Sequence, residues 1–266
     1  MIIDGKKIAG EIKEQLVEQF SGRSTVLAVV LVGEDPASIK FVEYKKKFGE
    51  AVGVEMRVLE FEADITEEDL AEEVEKLAND DKIDGMIIQL PLPKNISTDK
   101  ILNLVPANKD VDALTADASV DSPVVEAVME ILDRGGIDLN GKKIVVVGRG
   151  QLVGRPIAVR LAQEGYDVEV ASTATGDLKK LTLSADVIIS GVGKPGLITP
   201  DMVKDGVVLV DAGTSDLPAQ AGQASKLAGD IDPTCADKAS LYTPVPGGVG
   251  PLVVAMLFKN LAKLSA

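Results

Sequence analysis

The chain has 266 residues, 45% of them hydrophobic but only 3% aromatic, so aliphatic side chains must fill the core of one large domain or two ordinary ones. It contains no histidine, which excludes Ser-His-Asp and Cys-His nucleophile systems, an imidazole base and His-ligated zinc, and leaves acid–base work to Lys, Tyr, Asp or Glu. A formal charge of −14 argues against nucleic-acid and anionic-membrane partners, and the lone Cys235 rules out internal disulfides and Cys-cluster metal sites.

The amino-terminal MIIDGKKIAGEIKEQL reads as an amphipathic globular start rather than a signal peptide. No apolar run reaches the ~18 residues of a membrane span. With the sparse cysteine usage, the expected location is the reducing cytoplasm. Asp4 is placed to cap a first helix whose apolar stripe is Ile8, Ile12, Leu16 and Phe20. Val26–Val32 (VLAVVLV) is a continuous, largely β-branched run, as in a strand buried on both faces. Gly33–Pro36 turns the chain into a helix of about Ala37–Val52, and Val54–Phe61 alternates as a strand does. Thr66 with Asp69 opens a helix carrying Leu70, Val74 and Leu77. Gly85–Leu90 is a further buried strand, broken by Pro91 and Pro93, and a short helix is expected at about Asp99–Val105.

A second unit is expected from Ser122–Pro123, with a connecting helix to about Leu132 broken at Gly135–Gly136. Lys143–Val147 (strand), Leu152–Gln163 (helix), Asp167–Ala171, Asp186–Ser190 and Val207–Asp211 (strands) follow. The Pro/Gly-rich stretch Thr243–Pro251 leads into a last helix with Leu252, Ala255, Met256 and Leu257. This alternation predicts two α/β units with parallel sheets.

Lys143–Val147 runs into Gly148-Arg-Gly150-Gln-Leu-Val-Gly154 and then a helix. In that context glycines let the backbone approach phosphates, and the helix N-terminus presents N–H groups and a positive dipole end to them. The alternative is a glycine turn serving strand–helix packing alone. The next strand ends in Ser172-Thr-Ala-Thr175 with no carboxylate to grip ribose hydroxyls, and Arg149 sits in the turn, so NADP is favoured over NAD unless Arg149 merely solvates a surface loop.

Lys45 opens the run Lys45-Lys46-Lys47, which by default is a solvated face. Phe41 and Lys45, however, share a helix face at i and i+4, and a partly desolvated lysine is a base near neutral pH. Gln89 is the polar side chain of Met86–Pro93 near the end of a buried strand, where α/β ligands bind; otherwise it is a satisfied edge amide. Asp110 and Asp112 would point to one side of an extended segment, to bind adjacent N–H donors or to cap the loop. No third carboxylate accompanies them, so no metal site is expected.

Together these segments resemble the methylenetetrahydrofolate dehydrogenase/cyclohydrolase family over nearly the whole chain. The matches, in order, are Pro36-Ala-Ser38 with Lys45 and Lys47, Gln89-Leu-Pro-Leu-Pro93, Lys109-Asp-Val-Asp112, Gly148-Arg149, Val153-Gly154-Arg155-Pro156, Gly229-Asp230 and Thr243-Pro-Val-Pro-Gly-Gly-Val-Gly-Pro251. The resemblance implies oxidation of 5,10-methylenetetrahydrofolate with NADP and hydrolysis of the methenyl product to 10-formyltetrahydrofolate, the one-carbon chemistry that feeds purine biosynthesis. It implies a folate-binding catalytic domain of residues 1–120 plus 244–266, a Rossmann-type NADP domain of residues 121–243, an active-site cleft between them, and a homodimer. By position, Lys45 is similar to the catalytic lysine, assisted by Gln89, and Asp112 to the residue that anchors the pterin ring. Phe41 and the Pro246-Gly247-Gly248 loop fall in the folate pocket; Gly148, Arg149, Gly150, Thr173 and Thr214 fall where the family contacts NADP.

Departures from the family pattern are Phe41 for a tyrosine, Ala113 for a glycine, Gly150 for a serine, Ser172 for a histidine, and Ser122-Pro-Val-Val-Glu126 for Pro-Cys-Thr-Pro. Hydride transfer relies on positioning and needs no side-chain base, whereas cyclohydrolysis needs proton transfer, so the lost tyrosine hydroxyl bears on the second activity. Two other readings stay open on the sequence: a non-catalytic folate- or nucleotide-binding sensor, and an NADP-dependent dehydrogenase for another small substrate.

Overall fold

In the computed structural model, which describes residues 1–217 and 226–266, the run Val26–Val32 is a strand, β1, with every residue buried. It is the middle strand of a parallel sheet between β2 (Glu55–Phe61) and β3 (Gly85–Ile88). Parallel neighbours need crossover helices. Here these are α2 (Pro36–Val52) and α3 (Glu67–Ala78), preceded by α1 (Gly5–Phe20) and followed by the short α4 (Thr98–Leu102).

The two expected caps are made: Asp4 Oδ1 accepts from Lys7 N at 3.0 Å and Thr66 Oγ1 from Asp69 N at 3.1 Å. Asp35 adds an unforeseen one at the start of α2, its Oδ2 accepting from Ser38 N at 2.8 Å. All four residues of the α1 stripe are buried. Strand β3 stops at Ile88, two residues short of expectation: Gln89 N still donates to Val30 O, but the prolines beyond have no N–H to continue the ladder.

The second sheet contains β4 (Ile144–Val147), β5 (Val168–Ala171), β6 (Val187–Ser190), β7 (Val208–Asp211) and β10 (Leu241–Tyr242), with β8 (Ser215–Leu217) and β9 (Lys226–Ala228) forming a separate antiparallel pair. Its order is β10-β7-β6-β4-β5, all parallel. The chain leaves β4 for β5 on one side and then crosses to β6 on the other, so the switch point where α/β sheets bind ligands lies at the carboxyl end of β4. Helices α5 (Pro123–Arg134), α6 (Gly154–Gln163) and α7 (Leu178–Ser184) accompany this sheet, and α8 (Val249–Leu264) follows it.

The chain divides into two compact units: Ala9–Pro123 with Val254–Ala266, and Met1–Ile8 with Val124–Val253. The expected division at 120/121 and 243/244 differs from this at both chain ends. Ile3 N donates to Tyr242 O and Tyr242 N to Met1 O, each at 2.9 Å, which adds the amino-terminal residues to the second sheet beside β10. Among the described residues no helix is long and apolar enough to cross a membrane.

Candidate active site

The buried face of α2 comprises Ser38, Val42, Lys45, Phe48, Gly49 and Val52. Lys45 therefore lies within the apolar stripe of its helix and is carried inward, 3% exposed, while Lys46 and Lys47 are exposed. One turn earlier, Phe41 places its ring centroid 4.8 Å from the Lys45 Nζ, the expected i, i+4 pair. Nζ donates to Gln89 Oε1 at 3.1 Å. Gln89 is buried just past β3, and its Nε2 donates to Leu90 O at 2.9 Å, which turns the amide oxygen toward the lysine. Asp112 Oδ2 lies 3.9 Å from Nζ.

Burial pushes the Lys45 ammonium below the ordinary lysine range, and the Asp112 charge partly opposes this. Burial also raises the Asp112 carboxyl, against the pull of Lys45 and with Asp110 adding to the rise. Two groups whose ordinary values lie far apart are thus drawn together. A neutral amine held beside an acceptor amide and a carboxylate can take a proton from water and return it.

Asp110 and Asp112 do not act as one pair. Asp110 Oδ2 accepts from Thr115 N and Thr115 Oγ1, each at 2.8 Å, because the chain turns back after Val111 instead of staying extended. Asp110 closes that turn and Asp112 alone reaches the lysine. Within the turn Ala113 sits at φ +52°, the left-handed region that suits the family's glycine. Tyr44, next to Lys45 in sequence, is 43% exposed and so does not replace the hydroxyl absent from Phe41.

In the second unit, Gly148, Arg149 and Gly150 follow β4, Ser172–Thr175 follow β5, and Thr214 follows β7, so parallel strands bring these residues to one edge of the sheet. Gly148 has φ +106°, and a Cβ there would stand 2.8 Å from Gly191 O. A Cβ at Gly154 would overlap Gly148 O, and one at Gly191 would overlap Val153. Gly150 meets nothing, so its serine-to-glycine departure is sterically idle. Helix α6 begins at Gly154 rather than Leu152, since Gln151–Val153 form a turn.

Arg149, Thr173 and Thr214 are exposed. Ser172 and Thr175 close a hydroxyl turn through Ser172 N to Thr175 Oγ1 at 2.9 Å and Ala174 N to Ser172 Oγ at 3.2 Å. A tight glycine approach, an exposed guanidinium beside it and hydroxyls rather than a carboxylate at Ser172–Thr175, directly after β5, fit a dinucleotide bearing a 2′-phosphate. In the same unit Gly247 lies at φ +107° and accepts from Gly5 N at 2.9 Å; Pro246 beside it is exposed and Gly248 is buried.

Two buried carboxylates were given no role from the sequence, although Asp230 lies in the matched Gly229-Asp230 pair and Asp211 at a predicted strand end. Asp230 Oδ2 accepts from Ser190 Oγ at 2.8 Å and Val192 N at 2.6 Å, and its Oδ1 from Lys194 N at 2.7 Å, so it holds the loop after β6. Asp211, ending β7, accepts from Gly213 N, Asp230 N and Ile231 N. A polar residue at the carboxyl end of an apolar strand was the available signal, as for Gln89.

Comparison with known proteins places both halves. The model of the tetrahydrofolate dehydrogenase/cyclohydrolase catalytic domain matches residues 3–112, and that of the family's NAD(P)-binding domain matches residues 122–266. The bifunctional protein FolD of Nautilia profundicola is 42% identical, covering 98% of this chain and 96% of its own. The crystal structure of FolD methylenetetrahydrofolate dehydrogenase/cyclohydrolase from Campylobacter jejuni superposes with TM-score 0.93 at 37% identity, over 100% of this chain and 98% of that one. The Trypanosoma brucei enzyme, solved with NADP and an inhibitor, gives TM-score 0.94 at 32% identity, over 100% and 97%.

Proposed function

The chain belongs to the tetrahydrofolate dehydrogenase/cyclohydrolase family, and we infer that it oxidises 5,10-methylenetetrahydrofolate with NADP and hydrolyses the 5,10-methenyl product to 10-formyltetrahydrofolate. The observation that carries this reading is the buried Lys45 held between Phe41, Gln89 and Asp112. A lysine desolvated on an aliphatic helix face costs stability, and proton transfer is what such a placement serves.

NADP, when bound, accepts a hydride from the folate methylene carbon. The chain's part in that step is positioning. Gly148 and Gly154 let the backbone approach the phosphates, Arg149 offers its guanidinium to the 2′-phosphate, and Gly150, Thr173 and Thr214 line the same edge. Asp112 receives the N–H donors of the pterin ring and Phe41 stacks on it.

Hydrolysis is the step that needs a base. Neutral Lys45 removes a proton from the water that adds to the methenyl carbon. As the carbon–N5 bond opens, the lysine returns that proton to N5 while the new hydroxyl gives up its own to become the formyl oxygen. One proton is released to solvent overall, because the methenyl compound is a cation and the formyl product is neutral. Gln89 Oε1 holds Nζ in place through both states. Ala9–Pro123 with Val254–Ala266 is the folate-binding unit and the remainder the NADP unit. The protein works as a cytoplasmic homodimer that supplies formyl groups to purine biosynthesis. The comparisons lend no support to a non-catalytic sensor.

The test follows reduced cofactor and methenyl product separately, with methylenetetrahydrofolate and either NADP or NAD. Turnover with NADP, with methenyl product decaying further than it does without enzyme, is expected. Absence of turnover with both cofactors overturns the reading.

A further inference from the structure

Helix α8 is aliphatic on its buried side, where Leu257, Phe258 and Leu261 are fully enclosed, yet the same side carries an amide, Asn260, at 1% exposure. Its Nδ2 donates to Val111 O at 3.0 Å and to Asp121 O at 2.8 Å. Val111 is the residue immediately before Asp112, and Asp121 closes the same segment nine residues later. One NH2 group therefore ties both ends of the loop that presents Asp112 to Lys45. The Asn260 Oδ1 makes no hydrogen bond among the described residues. An apolar side chain of similar size would bury no unpaired amide oxygen, but it would strip Val111 O and Asp121 O of their donor, so what the amide supplies here is its two N–H bonds. Asp110 and Thr115 shape the turn from within, the bridge between Met86 and Asp110 fixes its start beside β3, and Asn260 ties Val111 and Asp121 to α8.

We propose that Asn260 is a positioning residue of the active site: by holding Val111 and Asp121 it keeps the Asp112 carboxylate in register with Lys45 and with the folate ring. This rests on the reading of Asp112 as the group that anchors the pterin.

The experiment compares Asn260→Leu, which keeps size and loses both donors, with Leu261→Ala, which weakens the neighbouring packing of α8 and leaves both donors intact, and with Asp112→Ala. In Asn260→Leu the KM for methylenetetrahydrofolate is expected to rise roughly tenfold or more, the scale of a displaced positioning contact, with the KM for NADP unchanged. The charged group acting on Lys45 is Asp112, on which Asp110 acts in turn. Moving Asp112 away removes a charge that favours the ammonium, so the acid limb of cyclohydrolase activity shifts to lower pH. Leu261→Ala should lower Tm and leave both readouts in place. A wild-type folate KM and acid limb in Asn260→Leu overturn the proposal, as do identical changes in Leu261→Ala. If Asn260→Leu does not fold, Asn260→Ser, which keeps one short donor, carries the same test: a raised folate KM supports the role and a wild-type value overturns it. Should Asp112→Ala itself leave the folate KM unchanged, the reading of Asp112 fails, and the role of Asn260 with it. A response to Asp112→Ala but not to the Asn260 variants sinks the role of Asn260 alone.

Discussion

Lys45 occupies a place in α2 that an aliphatic residue would fill without electrostatic cost, between Val42 and Phe48 on the buried face. The lysine is made tolerable by three partners of different kinds: a ring at 4.8 Å, an amide oxygen at 3.1 Å and a carboxylate at 3.9 Å. None of the three neutralises it fully, which keeps its proton exchangeable. The ring is also where this chain leaves its family, since Phe41 keeps the stacking surface and gives up the hydroxyl. Phe41→Tyr should therefore raise the ratio of cyclohydrolase to dehydrogenase activity by about tenfold, less than the ~100-fold or more of a full proton-transfer group, because Lys45 is already in place. Measurement of both rates on one preparation checks this; an unchanged ratio means the hydroxyl has no part in the hydrolytic step here.

At the scale of elements, the dinucleotide edge is built by strand ends and the loops they release. Gly148, Gly154 and Gly191 press the loops after β4 and β6 together, and Asp230 draws the loop after β6 inward through Ser190, Val192 and Lys194. Asp211 fixes the next loop and the approach to Asp230 itself. Burial pushes the Asp211 carboxyl up to about 6, against its three N–H donors and with the Asp230 charge adding to the rise. A carboxyl raised in the folded state contributes stability that is complete below its unfolded value, near 4, and is lost as pH climbs through about 6. The loss over that window is about 3 kcal/mol. Asp211→Asn cannot titrate, so the stability of wild type minus mutant should fall by that order between pH 4 and pH 7. Urea unfolding at stepped pH measures it, and a difference that stays flat across the window refutes the assignment to Asp211.

At the scale of the whole molecule, legibility followed the length and regularity of each element. The α1 stripe and the seven-residue run of β1 announce themselves because burial on one helix face, or on both strand faces, imposes a period on many residues. The two residues of β10, the seven of α7 and the β8–β9 pair impose no such period, and they escaped notice. Gln89 was legible as a polar residue in an apolar segment, Lys45 by its i, i+4 spacing from Phe41, and Asp112 as one carboxylate of a closely spaced pair. Their mutual distances were not, because α2, the end of β3 and the loop after Val111 meet only through the fold. Asn260 was hidden for the same reason: its partners Val111 and Asp121 are more than a hundred residues away in sequence.

On the proposed function the chain divides its labour, with hydride transfer resting on the positioning of ligands and hydrolysis resting on one lysine. Lys45→Met separates the two. Methionine fills the same space on the aliphatic face and carries no exchangeable proton, so the fold should persist and Tm should not fall. With methylenetetrahydrofolate and NADP supplied together, the mutant should still form reduced cofactor and should accumulate methenyltetrahydrofolate, its enzymatic hydrolysis abolished. Hydrolysis of the methenyl compound by Lys45→Met at the wild-type rate would contradict the role of Lys45.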